Sequence, residues 1–212
     1  MPLLQRRPRL PLQSNVVTPF KPEFETEAAL RCHPATPAPG ITGIGVRVCW
    51  CGPDRLGLRY EVAGDADALV LPAARPAQFA DRLWEHTCFE AFILTEQGSY
   101  CELNFSPSTQ WAAYRFSAYR KDMARAEVTA PPVITTRSGS GRITVEALAD
   151  LTGIAGTSAT PARMALSAVI EAPDGTRSYW ALAHPAPKPD FHHPDAFTLP
   201  WRHPPAANQG TP

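Results

Sequence analysis

The sequence predicts an all-β domain, an antiparallel β-sandwich of roughly ten short strands with little helix. Three observations support this fold class. Twenty-four of the 212 residues are proline, which excludes long helices from most of the chain. Hydrophobic and polar residues alternate with a period of two, as in half-buried strands. Turn-forming residues recur every roughly 8–14 residues, which suits short strands joined by tight connections.

The first half of the chain contains three predicted strands. The first covers residues 27–33 and ends at Pro34. The second covers residues 42–50, and the hydrophobic residues that share one of its faces are Ile44, Val46, Val48 and Trp50. The third follows a turn at 51–54 and alternates hydrophobic residues from Leu56 to Tyr60. Two weaker elements come next, a short apolar run at 66–71 and a single helical turn within 74–84.

The second half is predicted to contain two hairpins and several single strands. The first hairpin joins 86–95 to 100–106, with Gly98 in the connection, where a positive φ is usual. The second joins 162–171 to 177–184 through the turn at 173–175. The single strands are 110–119, 142–148 and a short closing strand before Leu199. The predicted domain is therefore residues 26–202, between a disordered proline-rich lead-in at 1–25 and a flexible tail at 203–212.

Composition argues against several classes of partner. The formal net charge is zero, whereas nucleic-acid-binding proteins usually carry a basic patch. No segment approaches the roughly 20 apolar residues of a membrane span. The basic N-terminal residues precede no apolar signal region, and the five cysteines are an odd number for a secreted disulfide framework. We therefore expect a cytoplasmic protein with reduced thiols, without nucleic-acid or membrane partners.

One predicted strand, 100–106, has a polar face that could bind a ligand. Its polar face carries Tyr100, Glu102, Asn104 and Ser106. Carboxylates and amides exchange hydrogen bonds with sugar hydroxyls, so such a stripe suits a sugar site. The alternative is a solvated sheet face, although Asn and Glu have low strand propensity.

Glu90 interrupts the apolar run at 88–94 and is predicted to be at least half-buried. It either pairs with Arg115 or Arg120, or acts as a ligand contact, cation ligand or acid/base group. If the hairpin turns on Gln97 and Gly98 alone, Glu102 lies opposite Ile93 and Glu90 falls on the other face. A glycosidase-like carboxylate pair would then require a bulge.

Aromatic and histidine residues supply further candidates. Trp84, Trp111 and Trp180 lie near strand ends and either pack in the core or stack on a ligand, with Trp84 the best candidate for the rim. A loop stiffened by prolines holds the polar residues His184, Lys188, Asp190, His192 and His193. These residues either contact a ligand or lock the loop onto the domain. The cysteine and histidine spacing suits no zinc site, and oxygen ligands for calcium follow no recognised loop pattern.

From about Leu30 to Leu199 the chain resembles a bacterial group of DOMON-like proteins. The segments that carry this resemblance are RCHPATP (31–37), LWEHTCFEAFI (83–93), ELNFSPSTQWAAYRFSAYRKDM (102–123), SAVIE (167–171) and SYWALAHPAPKPDFHHPDAF (178–197). The resemblance implies a β-sandwich related to haem- and sugar-binding DOMON domains and to family-nine carbohydrate-binding modules. It also implies a ligand against one sheet face or in a cleft at the loop end, held in family-nine modules between two tryptophans.

The leading hypothesis is a non-catalytic domain that binds a small ligand, and the ligand class expected is a carbohydrate. Its candidate contacts are Trp84, Glu102, Asn104, Trp111, Arg120, Trp180, His184, Lys188, Asp190 and His192. No cofactor is predicted for this hypothesis, and haem and calcium stay open as alternatives.

Three alternatives stay open. One is a haem-binding electron-transfer domain, in which the resemblance implies axial Met and His ligands, here Met123 with His184 or His192; Met164 is the other internal methionine. Another is a hydrolase of glycosidic bonds that uses Glu90 or Glu102 with His184 or His192. The third is an interaction domain without a small ligand.

Overall fold

A computed structural model describes residues 24–51, 54–139, 141–153 and 161–201. The predicted tail, and all but the last two residues of the predicted lead-in, lie outside these residues. The strands are β1 (Phe24–Cys32), β2 (Ile41–Trp50), β3 (Arg55–Gly64), β4 (Cys88–Thr95), β5 (Tyr100–Phe105), β6 (Trp111–Phe116), β7 (Ala124–Arg125), β8 (Val133–Gly139), β9 (Arg142–Asp150), β10 (Pro161–Glu171), β11 (Arg177–Ala181) and β12 (Leu199–Pro200).

The helical content of the described residues is three single 3-10 turns, η1 (Ala66–Ala68), η2 (Leu83–Glu85) and η3 (Pro194–Ala196). None of the helices in this part of the chain is long and apolar enough to cross a membrane. The small helical content follows from the many prolines and the period-two pattern.

The strands form two antiparallel sheets joined through β1. Sheet I has the order β1-β2-β3-β9-β8, and sheet II has the order β7-β6-β5-β4-β10-β11-β1. Residues Phe24 to Leu30 of β1 pair with β2, while Arg31 and Cys32 pair with β11. The short β12 pairs with β10. The predicted all-β antiparallel fold is confirmed, with twelve strands in the described residues rather than roughly ten.

The main core lies between the two sheets. Sheet I contributes the predicted hydrophobic face of β2, and sheet II contributes Phe89, Leu103 and Leu166 among others. The ring of Tyr60 packs 5.0 Å from that of Phe89, and its hydroxyl donates to the Glu90 carbonyl oxygen over 2.8 Å. Burial of this apolar surface provides the main favourable free energy of folding.

Sheet II is buried on its outer face as well. A second cluster there contains Phe92, Tyr100, Tyr114, Phe116 and Phe197. All six residues of β5 are buried, so the polar stripe predicted on this strand is covered rather than solvated. The cover comes from the loop before β4 and the segment after β11, which lie far apart in sequence.

The hairpin between β4 and β5 differs from the predicted one. The Thr95 N–H donates to the Ser99 carbonyl (2.9 Å) and the Gly98 N–H donates to the Thr95 carbonyl (3.1 Å), so three residues form the connection. Gly98 has φ +87°, as such a turn requires.

One extra residue in this connection shifts the pairing of β5 with β4 by one residue. Relative to β4, every side chain of β5 therefore lies on the face opposite to the one predicted. Phe92 therefore pairs with Glu102, and Glu90 pairs with Asn104. The prediction that Glu102 lies opposite Ile93, with Glu90 on the other face, is wrong. Both carboxyl groups lie on the outer face of sheet II.

The smaller elements complete the comparison with the prediction. The apolar run at 66–71, to which no secondary structure was assigned, contains η1, whose N-terminus is capped by the Asp65 side chain. The edge strand β8 was not predicted, because only one of its side chains, Ile134, is buried and the period-two signal is weak. The helical turn predicted within 74–84 occurs at its end, as η2.

Candidate functional site

A cleft of about 390 Å³ opens on the outer face of sheet II. Strands β4, β5, β6, β10 and β11 form its floor, and three loops form its sides. The lining residues are Trp84, Glu85, Glu90, Phe92, Glu102, Phe116, Arg120, Met123, Val169, Arg177, Tyr179, Pro189, Phe191 and His192. The lining thus combines charged groups with several aromatic rings.

Two carboxyl groups lie at the floor of the cleft. Glu90 is 2% exposed and Glu102 is 5% exposed. The Ser167 hydroxyl donates to Glu90 Oε2 over 2.8 Å, and the Asn104 amide donates to Glu102 Oε1 over 2.7 Å. The bonded partners of both carboxyls are neutral side chains. The predicted ion pair of Glu90 with Arg115 or Arg120 is not among the ion pairs of the described residues.

Burial changes the acidity of both carboxyl groups. Loss of hydration raises the pKa of Glu90 to about 8, and repulsion from Glu102 acts in the same direction. Loss of hydration raises the pKa of Glu102 to about 7, although the Asn104 hydrogen bond opposes this change. The cleft floor therefore holds protons near neutral pH, and its carboxyls can both donate and accept hydrogen bonds.

His192 lies beside the carboxyls and is held from several sides. Its Nδ1 is 2.8 Å from the Tyr100 hydroxyl, and its Nε2 is 3.7 Å from Glu102 Oε2. The rings of Phe92 and Phe116 pack edge-on against the imidazole, each at 5.2 Å. Burial, with a smaller effect of Arg120, lowers the pKa of His192 to about 4. The imidazole is therefore neutral at pH 7.

The loop after β6 places Arg120 at the side of the cleft. Arg120 has φ +51° and Asp122 has φ +53°, left-handed conformations that cost non-glycine residues roughly 1 kcal/mol or more. The Arg120 N–H donates to the Tyr100 hydroxyl (3.1 Å), and its guanidinium donates to Asp190 (2.8 Å). Asp190 also accepts from the Tyr119 hydroxyl over 2.6 Å. These bonds hold a strained loop against the segment after β11.

Aromatic rings form the opposite side and the mouth. Trp84 lies on η2, half-buried, with its ring 5.8 Å from Tyr114 in an edge-on contact. Tyr179 and Phe191 lie 5.9 Å apart between β11 and the segment that follows it. Such rings can stack on the apolar face of a bound ligand.

The structure brings together part of the predicted site. Trp84, Glu102, Arg120 and His192 line the cleft, as does Glu90. Asn104 and Asp190 do not line the cleft. Asn104 donates a hydrogen bond to Glu102, and Asp190 accepts one from Arg120, so each holds a lining residue in place.

Other predicted contacts lie elsewhere. Trp111 and Trp180 are buried in the core between the sheets, so they do not form a stacking pair at the cleft. The His184 Nε2 is 2.8 Å from the Arg31 carbonyl oxygen, and its ring packs edge-on against His33. Lys188 is exposed outside the cleft lining. His184 therefore locks its loop, the second role that the sequence allowed.

The residues missed by sequence reasoning are mainly aromatic, and they are Phe92, Phe116, Tyr179, Phe191 and Arg177. Phe92 and Phe116 alternate with core residues along β4 and β6, so alternation assigns them to the outer face once the core face is known. That this face is a ligand cleft depends on the covering loops.

The described residues contain no group of three or more side chains suited to a metal ion. For haem, Met123 is half-exposed and lines the cleft with His192, whereas Met164 is fully buried in the core. The imidazole Nδ1 of His192 already has a partner in Tyr100. Haem binding stays a prediction.

No protein-family model matches the chain, and no curated protein matches it in sequence. Its fold is similar to that of a proposed carbohydrate-binding protein from Bacteroides uniformis, with a TM-score of 0.60 and 15% identity over 81% of this chain and 84% of that one. A family-nine carbohydrate-binding module from Caldicellulosiruptor kristjanssonii, solved with cellotriose, gives a TM-score of 0.42 and 16% identity over 74% and 72%. At these identities the first likeness concerns the fold. The DOMON relationship stays a prediction.

Proposed function

We propose that this chain is a non-catalytic carbohydrate-binding domain and that the sugar binds in the cleft on sheet II. The observation that carries the proposal is the pair of buried carboxyls, Glu90 and Glu102, at the floor of a cleft with aromatic walls.

The chemistry of the cleft suits a sugar on two counts. Carboxyls that hold protons near neutral pH can both donate to and accept from vicinal hydroxyls. The rings of Trp84, Tyr179 and Phe191 offer apolar surface for the C–H face of a pyranose. The cleft volume also falls in the range of roughly 300–1,000 Å³ that is usual for small-molecule sites.

The site is also preorganised, which favours binding. His192 and Arg120 are fixed by hydrogen bonds to Tyr100 and Asp190, so little side-chain entropy is lost when a ligand contacts them. The likeness to the Bacteroides uniformis protein supports the proposal by analogy of fold alone.

Trp84→Ala is expected to weaken sugar binding about fivefold, since an aromatic stacking contact contributes on the order of 1 kcal/mol. Monosaccharides and disaccharides would first be screened by thermal shift with the full chain, and the best ligand would be titrated by calorimetry into wild type and variant.

Val133→Ala is the control for this substitution. Val133 is 54% exposed on β8 of sheet I, away from the cleft. The Val133→Ala protein should therefore bind the sugar with the affinity of wild type. Sugar binding that Trp84→Ala leaves unchanged would place the ligand elsewhere. If no sugar binds the wild-type protein, the proposal is wrong.

A second candidate function is hydrolysis of a glycosidic bond. The register places Glu90 and Glu102 as diagonal neighbours on adjacent strands, facing the same cleft. Their pKa values, about 8 and about 7, allow one carboxyl to stay protonated while the other ionises. Paired carboxyls with separated acid and base roles are the machinery of glycosidases.

If the cleft is catalytic, wild type will release 4-nitrophenol from one 4-nitrophenyl glycoside of a panel. Glu90→Gln and Glu102→Gln would then each lower that rate by about 100-fold or more, the usual contribution of a general acid or base. Glu146→Gln on β9, which is bonded to Arg59 and Arg137 in sheet I, should leave the rate unchanged. Absence of turnover by a wild-type protein that binds the sugar excludes hydrolysis of these substrates.

A further inference from the structure

The distribution of charge in the cleft is uneven once its internal ion pairs are counted. Glu85 at the rim pairs with Arg82, and the Arg120 guanidinium pairs with Asp190 (2.8 Å). Glu90 and Glu102 pair with no lysine or arginine among the described residues. The floor therefore contains two carboxyl groups for which the protein supplies no bonded cation.

The remaining titratable and charged groups that face these carboxyls do not neutralise them. His192 packs against Glu102 from the segment after β11, but its lowered pKa leaves it uncharged near pH 7. Arg120 attracts Glu102 from the loop after β6 while its hydrogen bond goes to Asp190. Arg177 is exposed at the start of β11, where water screens its charge.

The surfaces above the carboxyls also favour a cation. Phe92 and Phe116 flank the floor, and Trp84, Tyr179 and Phe191 form the walls. The face of an aromatic ring attracts a cation, most strongly where water is excluded. Carboxylates below and aromatic faces around are the two features that proteins use to bind ammonium groups.

We infer that the cleft binds a sugar with a free ammonium group, that is, an amino sugar rather than a neutral or acidic one. The inference rests on the proposed function and names the class of its ligand. Near pH 7 these carboxyls hold protons, so the ammonium group would favour their ionisation: a carboxyl proton leaves to solvent as the cation binds, and the resulting carboxylate, for which the protein supplies no bonded cation, pairs with the ammonium group. The hydroxyls and the C–H face of the same ring would use the remaining polar groups and the aromatic walls.

The test is calorimetric titration of the full-length protein at pH 7 with D-glucosamine, D-glucose, N-acetyl-D-glucosamine and D-glucuronate. The first three differ at one position, where only glucosamine carries a positive charge. We expect glucosamine to bind about tenfold more tightly than glucose, because a charge-assisted hydrogen bond replaces a neutral one. In the double variant E90Q/E102Q this ratio should fall to near one, while E146Q in sheet I should keep it.

Each outcome gives a decision. If glucose binds in the cleft and glucosamine binds no more tightly than glucose, the charge inference is overturned and carbohydrate binding stands. The same conclusion follows if glucuronate binds more tightly than glucose. A preference for glucosamine that survives in a folded E90Q/E102Q protein would also overturn it. Failure of all four sugars to bind would remove the inference, and carbohydrate binding would then depend on the wider sugar screen.

Discussion

Glu90→Gln is expected to raise the free energy of unfolding by about 2–4 kcal/mol at pH 8, because burial hinders ionisation of Glu90 in the native state whereas the unfolded glutamate ionises freely, which favours unfolding of wild type. Glutamine has nearly the same shape, and its side-chain oxygen can still accept the Ser167 hydrogen bond. The variant keeps the neutral form of the side chain at every pH. The gain reflects the cost of keeping a functional group buried without a cation.

The direction of the pH dependence follows from the raised pKa values. Glu90 and Glu102 bind protons up to about pH 8 and pH 7 in the native state, whereas unfolded glutamate releases its proton near 4.5. Between these limits the native state binds more protons, so stability falls as pH rises. His192 acts oppositely: its native pKa of about 4 lies below the ordinary 6.5, so it lowers stability as pH falls below 6.5.

Above pH 6.5 the two carboxyl groups therefore make the larger contribution to the pH dependence of stability. Measurements should be made in this pH range. Urea denaturation of wild type should show a loss of about 2–3 kcal/mol in the free energy of unfolding between pH 6.5 and 8.5. Glu90→Gln should remove more than half of this loss, and Glu146→Gln should retain it. A wild-type unfolding free energy that is constant across the window would contradict the assignment of raised pKa values to this pair.

Gly64→Ala is expected to destabilise the fold by about 3 kcal/mol or more, since it combines a strained backbone with a steric clash. Gly64 ends β3 with φ +136°, which side chains rarely adopt, and a Cβ there would lie 2.1 Å from the Gly40 carbonyl oxygen. That oxygen is also the acceptor for the Asp65 N–H at 2.8 Å. The clash is therefore with backbone, which cannot move without breaking this turn.

Gly45→Ala provides a matched comparison on the neighbouring strand β2. A Cβ at Gly45 has no heavy atom within 4 Å, and its φ is not positive. We expect Gly45→Ala to raise the free energy of unfolding by less than about 1 kcal/mol, because glycine weakens a strand interior. Denaturant titration of the two variants, side by side with wild type, tests the difference. Equal stabilities would show that the contact between Gly64 and Gly40 is not tight.

Local alternation was sufficient to predict the class of fold and many of its strands. In β2, residues two apart share a face whatever the partner strand, so Ile44, Val46 and Val48 could be assigned to the core directly. The burial of Glu90 was also readable, since its neighbours on both sides are apolar. Proline content separately excluded a helical fold.

The composition of the cleft could be predicted only in part, because local alternation reports neighbours along the chain and not the loops that cover a sheet. Glu102 and Asn104 stand out as polar residues in a strand, but no local pattern shows that sheet II is covered on its outer face. Sequence position favours Trp84 for the rim, because it lies between a loop and a strand, but it leaves core and ligand-stacking roles open for all three tryptophans, Trp84, Trp111 and Trp180. Only packing places the first at the cleft and the other two between the sheets.

What the sequence determined by itself is thus the all-β class, the main strands and the presence of carboxyl groups in apolar surroundings, because these depend on neighbours along the chain. The tertiary structure decided which carboxyls meet. The connection between β4 and β5 has three residues instead of two. This extra residue places Glu102 on the same sheet face as Glu90. Segments distant in sequence then close the aromatic walls around them, and these contacts depend on long-range packing that no local period encodes.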